Sequence, residues 1–368
     1  YGDVLDVDRD SGRVTVEAGI RLHDLNDHLA DHGLAMANLG DINVQTLAGA
    51  ISTATHGTGA RLGNIATQVA AMELITADGS VVHCSPDEEP EVFQAARVGL
   101  GALGIVSKVT LQCVPAFNLS ALEEPARLDD LLDDLDALAD GHDHFEFFWF
   151  PHTEWCITKR NTRTDEPVRP RSAWKAWRDD MLLSNYVYDV VCRIGRRRPE
   201  RIPDLARYVT SQLGRVRMVD RSDKIFASPR VVKFNEMEYA IPRAEAAGAL
   251  RRLREVIDEE GFLVNFPVEV RFVAADDIFL SPSTGRDTCY IAVHLYKGMD
   301  FEPYFRAVEA IMQERGGRPH WGKLHFREAP DLEPAYPDWG RFQAVRRRLD
   351  PDGRFANAYT ERVLGPLG

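Results

Sequence analysis

The sequence predicts an α+β fold of two domains, built from antiparallel sheets with helices on one face. A length of 368 residues exceeds the size at which a single hydrophobic core usually stops growing. Strand patterns alternate with helix patterns and are joined by short Gly-containing turns. Near residue 116 the Gly-rich connections give way to an acidic helix and an aromatic strand. We therefore place one domain at 1–115, a second at 116–330, and a C-terminal segment at 331–368.

The first domain begins with a predicted hairpin, because "VLDVDRDSGRVTVEAG" contains two alternating runs around "RDSG". A helix follows in "IRLHDLNDHLADHGL", where leucines recur at helical spacing and Gly33 provides a C-terminal cap. "VAAMELITADGSVVHCS" predicts a second hairpin that turns at Asp78-Gly79. "PEVFQAARVGLGALGIVSKVTLQCVP" then predicts a helix, a Gly-rich bend and a strand.

The second domain begins with "LDDLLDDLDALADGHD", a predicted acidic helix, and "HFEFFWFPHTEWCITKR", a predicted buried aromatic strand. Two rounds of strand and helix follow in "RAEAAGALRRLREVIDEEG", "FLVNFPVEVRFVA", "CYIAVHLYK" and "FEPYFRAVEAIMQERGG". Such repetition predicts an antiparallel sheet with helices on one face. The last segment, "WGRFQAVRRRLDPDGRFANAYTERVLG", predicts a helix that ends at Pro351 and Gly353, then an extended tail.

The overall charge argues against nucleic acid as a partner. The chain has 44 Lys+Arg against 57 Asp+Glu, a formal charge of −13, which repels phosphate backbones and anionic membranes. Most of the clustered positive charge lies within 160–230. We interpret that stretch as a solvated excursion, with a membrane-surface or partner role as the alternative.

The location is predicted to be cytoplasmic. The 5 cysteines are widely spread and form no CxxC, which disfavours a disulfide framework and a zinc knuckle. No apolar run reaches the length of a membrane span, and the first residues lack the pattern of a signal peptide. Because the chain opens on what resembles mid-domain sequence, we expect a further segment before Tyr1.

The stretch "GDINVQTLAGAISTATHGTGARLG", residues 40–63, is the first candidate site. Its glycines follow GxGxxxG rather than GxGxxG, which disfavours a Rossmann dinucleotide site. Small residues leave backbone N–H groups accessible, and threonine and serine hydroxyls lie among them, so a polar or anionic cofactor fits. The alternative is a Gly-rich turn that only packs.

Two further stretches carry candidate chemistry. Glu269 and Arg271 in "PVEVRF" are two apart on a strand and share a face, where they would orient a polyhydroxylated substrate or form only a local ion pair. "RPHWGKLHF" brings together His320, Lys323 and His325. A lysine at a reaction centre stabilises developing negative charge, and the alternative is a surface loop around a buried Trp.

Other chemistries find less support in the sequence. His142, His144 and His152 lack the spacing of metal ligands, so no metal is predicted. The chain contains no GxSxG elbow and no cysteine-protease signature, which disfavours hydrolases.

Together these stretches resemble the flavoprotein oxidoreductases of the vanillyl-alcohol oxidase fold, in the branch of aldonolactone oxidases and dehydrogenases and alditol oxidase. The matching pieces run in order from near residue 13 to near residue 359: "VTVEAGIRLHDL", "QTLAGAISTATHGTGARLGNIATQV", "ELITADGSVV", "RVGLGALGIVSKVTLQCVP", "FEFFWFPHT", "EVR", "PHWGK" and "DPDGRFANAY". The resemblance implies a two-domain flavoprotein, with a PCMH-type FAD-binding domain and an antiparallel-sheet cap. The C-terminal segment would return toward the FAD site.

The resemblance also implies the residues that contact FAD and the substrate. Those assigned to FAD are Gly40, Asp41, Thr46, Leu47, Gly49, Ala50, Ser52, Thr53, His56, Gly57, Thr58, Gly59, Gly104, Ile105 and Val106. Those assigned to catalysis are Glu269, Arg271 and Lys323, with His294 and His320 as further contacts. The family's glycine-rich loop, which in many members carries a histidine bonded to the flavin, is expected upstream of Tyr1.

The implied reaction is hydride transfer from a sugar lactone or polyol carbinol to flavin N5. In the family an alanine beside the flavin accompanies dehydrogenase behaviour in the plant galactonolactone enzyme, whereas glycine accompanies oxidase behaviour. That position is Gly40 here, so oxygen is the expected acceptor. The alternatives are a dehydrogenase that passes electrons to cytochrome or quinone, and a non-catalytic binding module that has lost its flavin.

Overall fold

The computed structural model describes residues 2–169, 187–228 and 231–367. The first part of the chain forms a five-stranded antiparallel sheet in the order β1-β2-β6-β4-β5, with a two-stranded ribbon of β3 and β7. The strands are β1 (Val4–Asp8), β2 (Arg13–Glu17), β3 (Leu34–Ala35), β4 (Val69–Ile75), β5 (Val81–Cys84), β6 (Ile105–Gln112) and β7 (Val114–Pro115). The helices are α1 (Leu22–Asp31), α2 (Leu47–Ser52) and α3 (Pro90–Ala96), with a 3₁₀ turn at Ile65–Gln68.

The predicted hairpins and helix of this part are confirmed. β1 pairs with β2 and β4 pairs with β5, and Gly79 adopts a φ of +86° between β4 and β5. Gly33, with a φ of +72°, follows the end of α1, where a residue with a side chain would be strained. Val14 and Val16 alternate inward on β2 and are fully buried, which anchors the sheet on its core.

An eight-stranded antiparallel sheet forms the second part, in the order β11-β8-β10-β9-β13-β14-β12-β15. Its strands are β8 (Asn118–Arg127), β9 (His144–Trp149), β10 (Trp155–Thr164), β11 (Val216–Arg221), β12 (Phe234–Pro242), β13 (Val268–Val273), β14 (Thr288–Tyr296) and β15 (Arg318–Pro319). The remaining helices are α4 (Leu128–Asp133), α5 (Leu135–Asp140), α6 (Tyr188–Arg197), α7 (Ile202–Ser211), α8 (Ser222–Phe226), α9 (Ala246–Glu259), α10 (Glu302–Glu314), α11 (Ala329–Leu332), α12 (Trp339–Leu349) and α13 (Ala358–Leu364). Further 3₁₀ turns lie at Pro199–Arg201, Arg243–Glu245 and Glu333–Ala335.

The predicted α+β class with antiparallel sheets is confirmed. The apolar faces of α9 and α10 pack with β9, β12, β13 and β14 in one hydrophobic core, which includes Leu250, Phe305 and Trp149. A second core lies under the five-stranded sheet, and α12 and α13 contribute to it through Phe342 and Val363. The C-terminal helices therefore pack on the first sheet rather than on the second.

Three sequence predictions are wrong in detail. The acidic helix is two short helices, α4 and α5, which are separated at Asp134. The aromatic segment is two antiparallel strands, β9 and β10, because the sequence "PHTE" turns the chain back. Of these two strands, only β9 is buried along most of its length. The extended tail contains α13, whose N-cap Asn357 forms a capping box with Thr360.

The interpretation of the basic stretch 160–230 as a solvated excursion from the fold is only partly correct. β11 lies within it and adds an edge strand to β8. The interpretation as a membrane or partner surface falls partly on residues 170–186 and 229–230, which lie outside the described residues. In the described ranges, no helix combines the length and apolar character that crossing a membrane requires.

Candidate active site

A cavity of about 200 Å³ lies between the loop 40–56 and the face of the second sheet formed by β12, β13 and β14. Its polar lining combines acids and bases: Asp41, Glu236, Glu238, Glu269, Arg271, Lys323, His56, His294 and His320. Its apolar lining comprises Ile42, Phe148, Val232, Phe234 and Phe266, together with Tyr188 from α6. The five residues predicted for catalysis thus line one cavity.

Strand periodicity explains why these side chains converge. Glu269 and Arg271 are two apart on β13, and Glu236 and Glu238 are two apart on β12, so each pair faces the same side of the sheet. His294 on β14 lies directly opposite Glu236 in the register. The sheet therefore presents three acids and two bases on the cavity side.

Arg271 lies between two carboxylates. Its Nε donates to Glu146 Oε2 at 2.8 Å, and its Nη2 is in ion-pair contact with Glu269. Burial disfavours the guanidinium, but Glu269 and Glu146 hold its pKa well above the ordinary value. Burial raises the pKa of Glu269 despite Arg271, whereas Arg271 and Lys159 overcome burial at Glu146 and lower the pKa there.

Lys323 and His294 share the carboxylate of Glu236. Lys323 Nζ lies 2.5 Å from Glu236 Oε2, and His294 Nε2 lies 3.4 Å from Glu236 Oε1. Burial alone would raise the pKa of Glu236, but Lys323 and His294 lower it to about 2. Burial likewise disfavours both cations, yet Glu236 outweighs it and raises the pKa of Lys323 and of His294. Glu236 therefore favours the charged forms of both Lys323 and His294.

A second histidine carboxylate pair joins the loop to the sheet. His56 Nδ1 donates to Gly57 O at 2.8 Å, its Nε2 lies 3.1 Å from Glu238 Oε1, and its ring stacks on Tyr290 with centroids 3.7 Å apart. His56 pulls the pKa of Glu238 well below its ordinary value, although burial alone would raise it. Both ring nitrogens of His56 are thus occupied within the protein.

His320 completes a cluster with His56 and Glu238, whose ligand atoms lie within 4.8 Å of one another. The Gly322 N–H donates to His320 Nδ1 at 3.0 Å, and burial lowers the pKa of His320 to about 3. The neutral ring therefore carries its hydrogen on Nε2 and has no lone pair there for a metal. This tautomer disfavours a metal ion in the cluster.

The predicted cofactor residues separate into several groups. Gly40, Asp41, Thr53 and His56 line the cavity. Ser52 is half-buried near the end of α2 and does not line the cavity. Gly104, Ile105 and Val106 lie at the start of β6, away from the cavity, with Ile105 58% exposed. Their contact with FAD stays a prediction.

The predicted run of free backbone N–H groups is wrong around α2. The N–H of Leu47 donates to Ile20 O, that of Gly49 to Thr46 Oγ1, and that of Ala50 to Thr46 O. The first turn of this helix is therefore satisfied by the chain itself, because Thr46 acts as its N-cap.

Gly57, Thr58 and Gly59 pack against the second sheet and the loop. Thr58 Oγ1 donates to Phe145 O and accepts from Phe272 N at 3.2 Å, and Gly59 N donates to Phe272 O at 2.7 Å. A Cβ on Gly57 would overlap the Leu39 carbonyl. Neighbouring carbonyl groups thus leave no room for a side chain at Gly57 and Gly59, and contact of these residues with FAD stays a prediction.

Sequence reasoning missed three carboxylates, namely Glu146, Glu236 and Glu238. The pattern "NEMEY" places two acids on one strand face, the same signal that identified Glu269 and Arg271. Glu146 stands alone among aromatic residues, and only the pairing of β9 with β13 brings it to Arg271. His325 was grouped with His320 but packs near Tyr359, outside the cavity.

Comparison with known proteins places this geometry in a family. The family model for D-arabinono-1,4-lactone oxidase matches residues 109–363, and that of an FAD binding domain matches residues 1–85. An L-gulono-1,4-lactone dehydrogenase of Mycobacterium tuberculosis is 47% identical over 99% of this chain and 84% of its own length. An L-gulonolactone oxidase of Bos taurus is 41% identical over 98% and 83%, and an alditol oxidase of Streptomyces is 32% identical over the same shares.

The fold is also that of a solved flavoenzyme. A cholesterol oxidase from Brevibacterium sterolicum superposes with a TM-score of 0.79 at 18% identity, over 96% of this chain and 81% of that one. At this identity the likeness concerns the fold alone. The sequence matches go further: the chain belongs to the aldonolactone oxidase family of FAD-binding oxidoreductases.

Proposed function

We propose that the protein oxidises an aldono-1,4-lactone or a related polyol with FAD and passes the electrons to oxygen, producing hydrogen peroxide. One observation carries the proposal: the five residues that the resemblance assigns to catalysis line one cavity, namely Glu269, Arg271, Lys323, His294 and His320. Acids and bases that converge on one cavity can bind and orient a polyhydroxylated substrate.

The residues present fit FAD, the cofactor of the family. Thr55 lines the cavity, and its Oγ1 is buried without a hydrogen-bond partner among the described residues, which leaves a hydroxyl for a polar group of the cofactor. Ile42 and Phe234 line the same cavity and would offer apolar surface to a ring system. Bound FAD supplies the hydride acceptor that no amino-acid side chain provides.

The side chains would then bind and orient the substrate. Glu269 would accept the hydrogen bond of the reacting hydroxyl and take its proton, because burial raises the pKa of its carboxyl. Arg271, held at its Nε, would direct its remaining N–H groups to substrate oxygens. Lys323 would stabilise negative charge that develops during the reaction, and Glu236 keeps it charged and in place.

Gly40 supports oxygen as the acceptor, because it lines the cavity and the resemblance assigns to this position the glycine that accompanies oxidase behaviour. One observation favours the second candidate, a dehydrogenase that passes electrons to cytochrome or quinone. The relative with 47% identity is named an L-gulono-1,4-lactone dehydrogenase, whereas the vertebrate relatives are named oxidases.

Reduction and reoxidation of the flavin test the proposal. Purified holoenzyme would be mixed anaerobically with L-gulono- or D-arabinono-1,4-lactone, and flavin bleaching would be followed by absorbance. Oxygen consumption and peroxide release would be measured in a second experiment. Bleaching without peroxide would establish the dehydrogenase, and no bleaching with any lactone or polyol would contradict both candidates.

The remaining assignments belong to the same proposal. We take residues 1–115 as the FAD-binding domain, 116–330 as the cap and 331–368 as the C-terminal segment. The predicted FAD contacts at 40–59 and 104–106 remain part of it. A cytoplasmic location is supported by cysteines that are all free and buried.

A further inference from the structure

Glu146 is a buried carboxylate beside the active-site residue Arg271. It lies on β9, is 6% exposed, and is the register partner of Arg271 on the neighbouring strand β13, on the same face of the sheet. It does not line the cavity, whereas Arg271 and Glu269 do. Any effect of Glu146 on a substrate must therefore pass through another residue.

We propose that Glu146 is a positioning residue that holds the Arg271 guanidinium by its Nε and takes up part of its charge, so that Glu269 remains able to accept a proton. The proposal deepens the proposed function, on which it rests for the role of Glu269. The geometry supports it, because the Nε of Arg271 donates to Glu146 at 2.8 Å while its Nη2 faces Glu269.

One cation between two acids cannot compensate both fully. If Arg271 faced Glu269 alone, the ion pair would favour the ionised carboxyl and make it a weak base. With Glu146 on the other side, Glu269 has a second negative charge nearby, and burial raises its pKa. At Glu146 the pKa is lowered instead, so this is the acid that stays ionised.

Lys159 explains why the proton prefers Glu269. Its Nζ lies 3.5 Å from Glu146 Oε1 and is fixed by a hydrogen bond to Ile225 O at 3.1 Å. Glu146 therefore has two cationic neighbours, Arg271 and Lys159. The pKa difference between Glu146 and Glu269 thus depends on Lys159, which lies on β10 beside Glu146 on β9.

Other charged groups face Glu269 from the elements around it. His294 on β14 and Arg271 on its own strand lower the pKa, whereas Asp41 on the loop and Glu146 on β9 raise it. Lys323, from the segment after β15, also interacts with Glu269. Of the two acids that raise the pKa, Glu146 also accepts a hydrogen bond from the Arg271 side chain.

The test is the variant Glu146→Gln, which removes the charge and keeps the shape. The matched control is Glu124→Gln on β8, an acid of the same sheet that pairs with Arg160 at 2.8 Å outside the cavity. The first measurement is the pH profile of kcat/KM for lactone oxidation by the holoenzyme. The second, which needs no turnover, is a ¹³C NMR titration of carboxyl-labelled glutamates, with Glu269→Gln to assign the resonance.

We expect Glu146→Gln to move the acidic limb of the profile and the Glu269 titration to lower pH by about one unit. The plateau of kcat/KM should also fall, because the guanidinium loses its support. Glu146→Asp should restore most of the wild-type pH dependence and most of the kcat/KM plateau. Glu124→Gln should match the wild type. If Glu146→Gln does not fold, Glu146→Met, which is neutral and of similar length, should give the same shift.

Two results would overturn the inference: an unmoved or upward-moved titration in the neutral variants, or an equal shift in Glu124→Gln. Failure of the proposed function can be distinguished from failure of this inference about Glu146. A holoenzyme that oxidises no lactone or polyol would refute the function, while the NMR titration would still decide whether Glu146 sets the pKa of Glu269.

Discussion

Replacing Lys323 by methionine tests whether its charge acts in catalysis or only in folding. The change removes an ammonium that lies 2.5 Å from Glu236 and leaves that carboxylate buried beside His294. Breaking a buried pair costs about 3–5 kcal/mol, and with side chains 24% and 16% exposed we expect the lower end, about 3 kcal/mol. At about 2.1 cal/mol/K per residue over 368 residues, this lowers Tm by about 4 °C.

The double variant Glu236→Gln/Lys323→Met separates the two roles. With neither charge present, most of the lost stability should return, whereas lactone turnover should stay about 10²–10³-fold below wild type. Calorimetry or thermal circular dichroism gives Tm, and anaerobic flavin bleaching gives the rate of the reductive step. Turnover near the wild-type rate in either variant would refute the catalytic role of Lys323. Equal loss of Tm in both would refute the ion-pair reasoning.

Three further outcomes follow from the same cavity. In Gly40→Ala the new Cβ would lie 3.1 Å from His56 O and 3.4 Å from Thr55 Cγ2. We therefore expect slower flavin reoxidation by oxygen with near-normal flavin reduction, both measured by stopped flow. Unchanged reoxidation would contradict the role of position 40 in the choice of electron acceptor. The pKa of Glu236 is depressed from 4.5 to about 2, so its stabilising effect is present above pH 4.5 and is lost as pH falls toward 2. Urea unfolding should accordingly show Glu236→Gln less stable than wild type at pH 7, with a gap that narrows below pH 4.5 and is small only near pH 2, whereas a constant gap would contradict the assignment. Because the His320 tautomer disfavours a metal, dialysis against EDTA should leave turnover unchanged, and a loss that Zn²⁺ restores would show otherwise.

The sequence predicts the strands and helices well where the pattern is local. Alternation and turn glycines indicate the β1–β2 and β4–β5 hairpins, and the spacing of Glu269 and Arg271 indicates their shared face. It does not predict partners that depend on strand pairing. Glu146 reaches Arg271 only because β9 lies beside β13.

The glycines at 57 and 59 show a second limit of sequence reasoning. A composition of small residues is equally compatible with a cofactor bed and with tight packing of backbone on backbone. Only the tertiary contacts of Thr58 and Gly59 with Phe272 reveal the packing. The same limit applies to α2. Its composition suggests accessible backbone N–H groups, but Thr46 and the carbonyl of Ile20 accept hydrogen bonds from them.

The backbone junction at Thr58 and Gly59 has a consequence for how such an enzyme diversifies. The hydrogen bonds from Gly59 N to Phe272 O and from Phe272 N to Thr58 Oγ1 fix the distance between loop and sheet without depending on the side chains that line the cavity. Substitutions at the apolar wall, such as Phe234 or Phe266, can therefore alter which sugar fits without moving the charged groups that act on it. Substrate range and reactive chemistry can thus change independently over evolution.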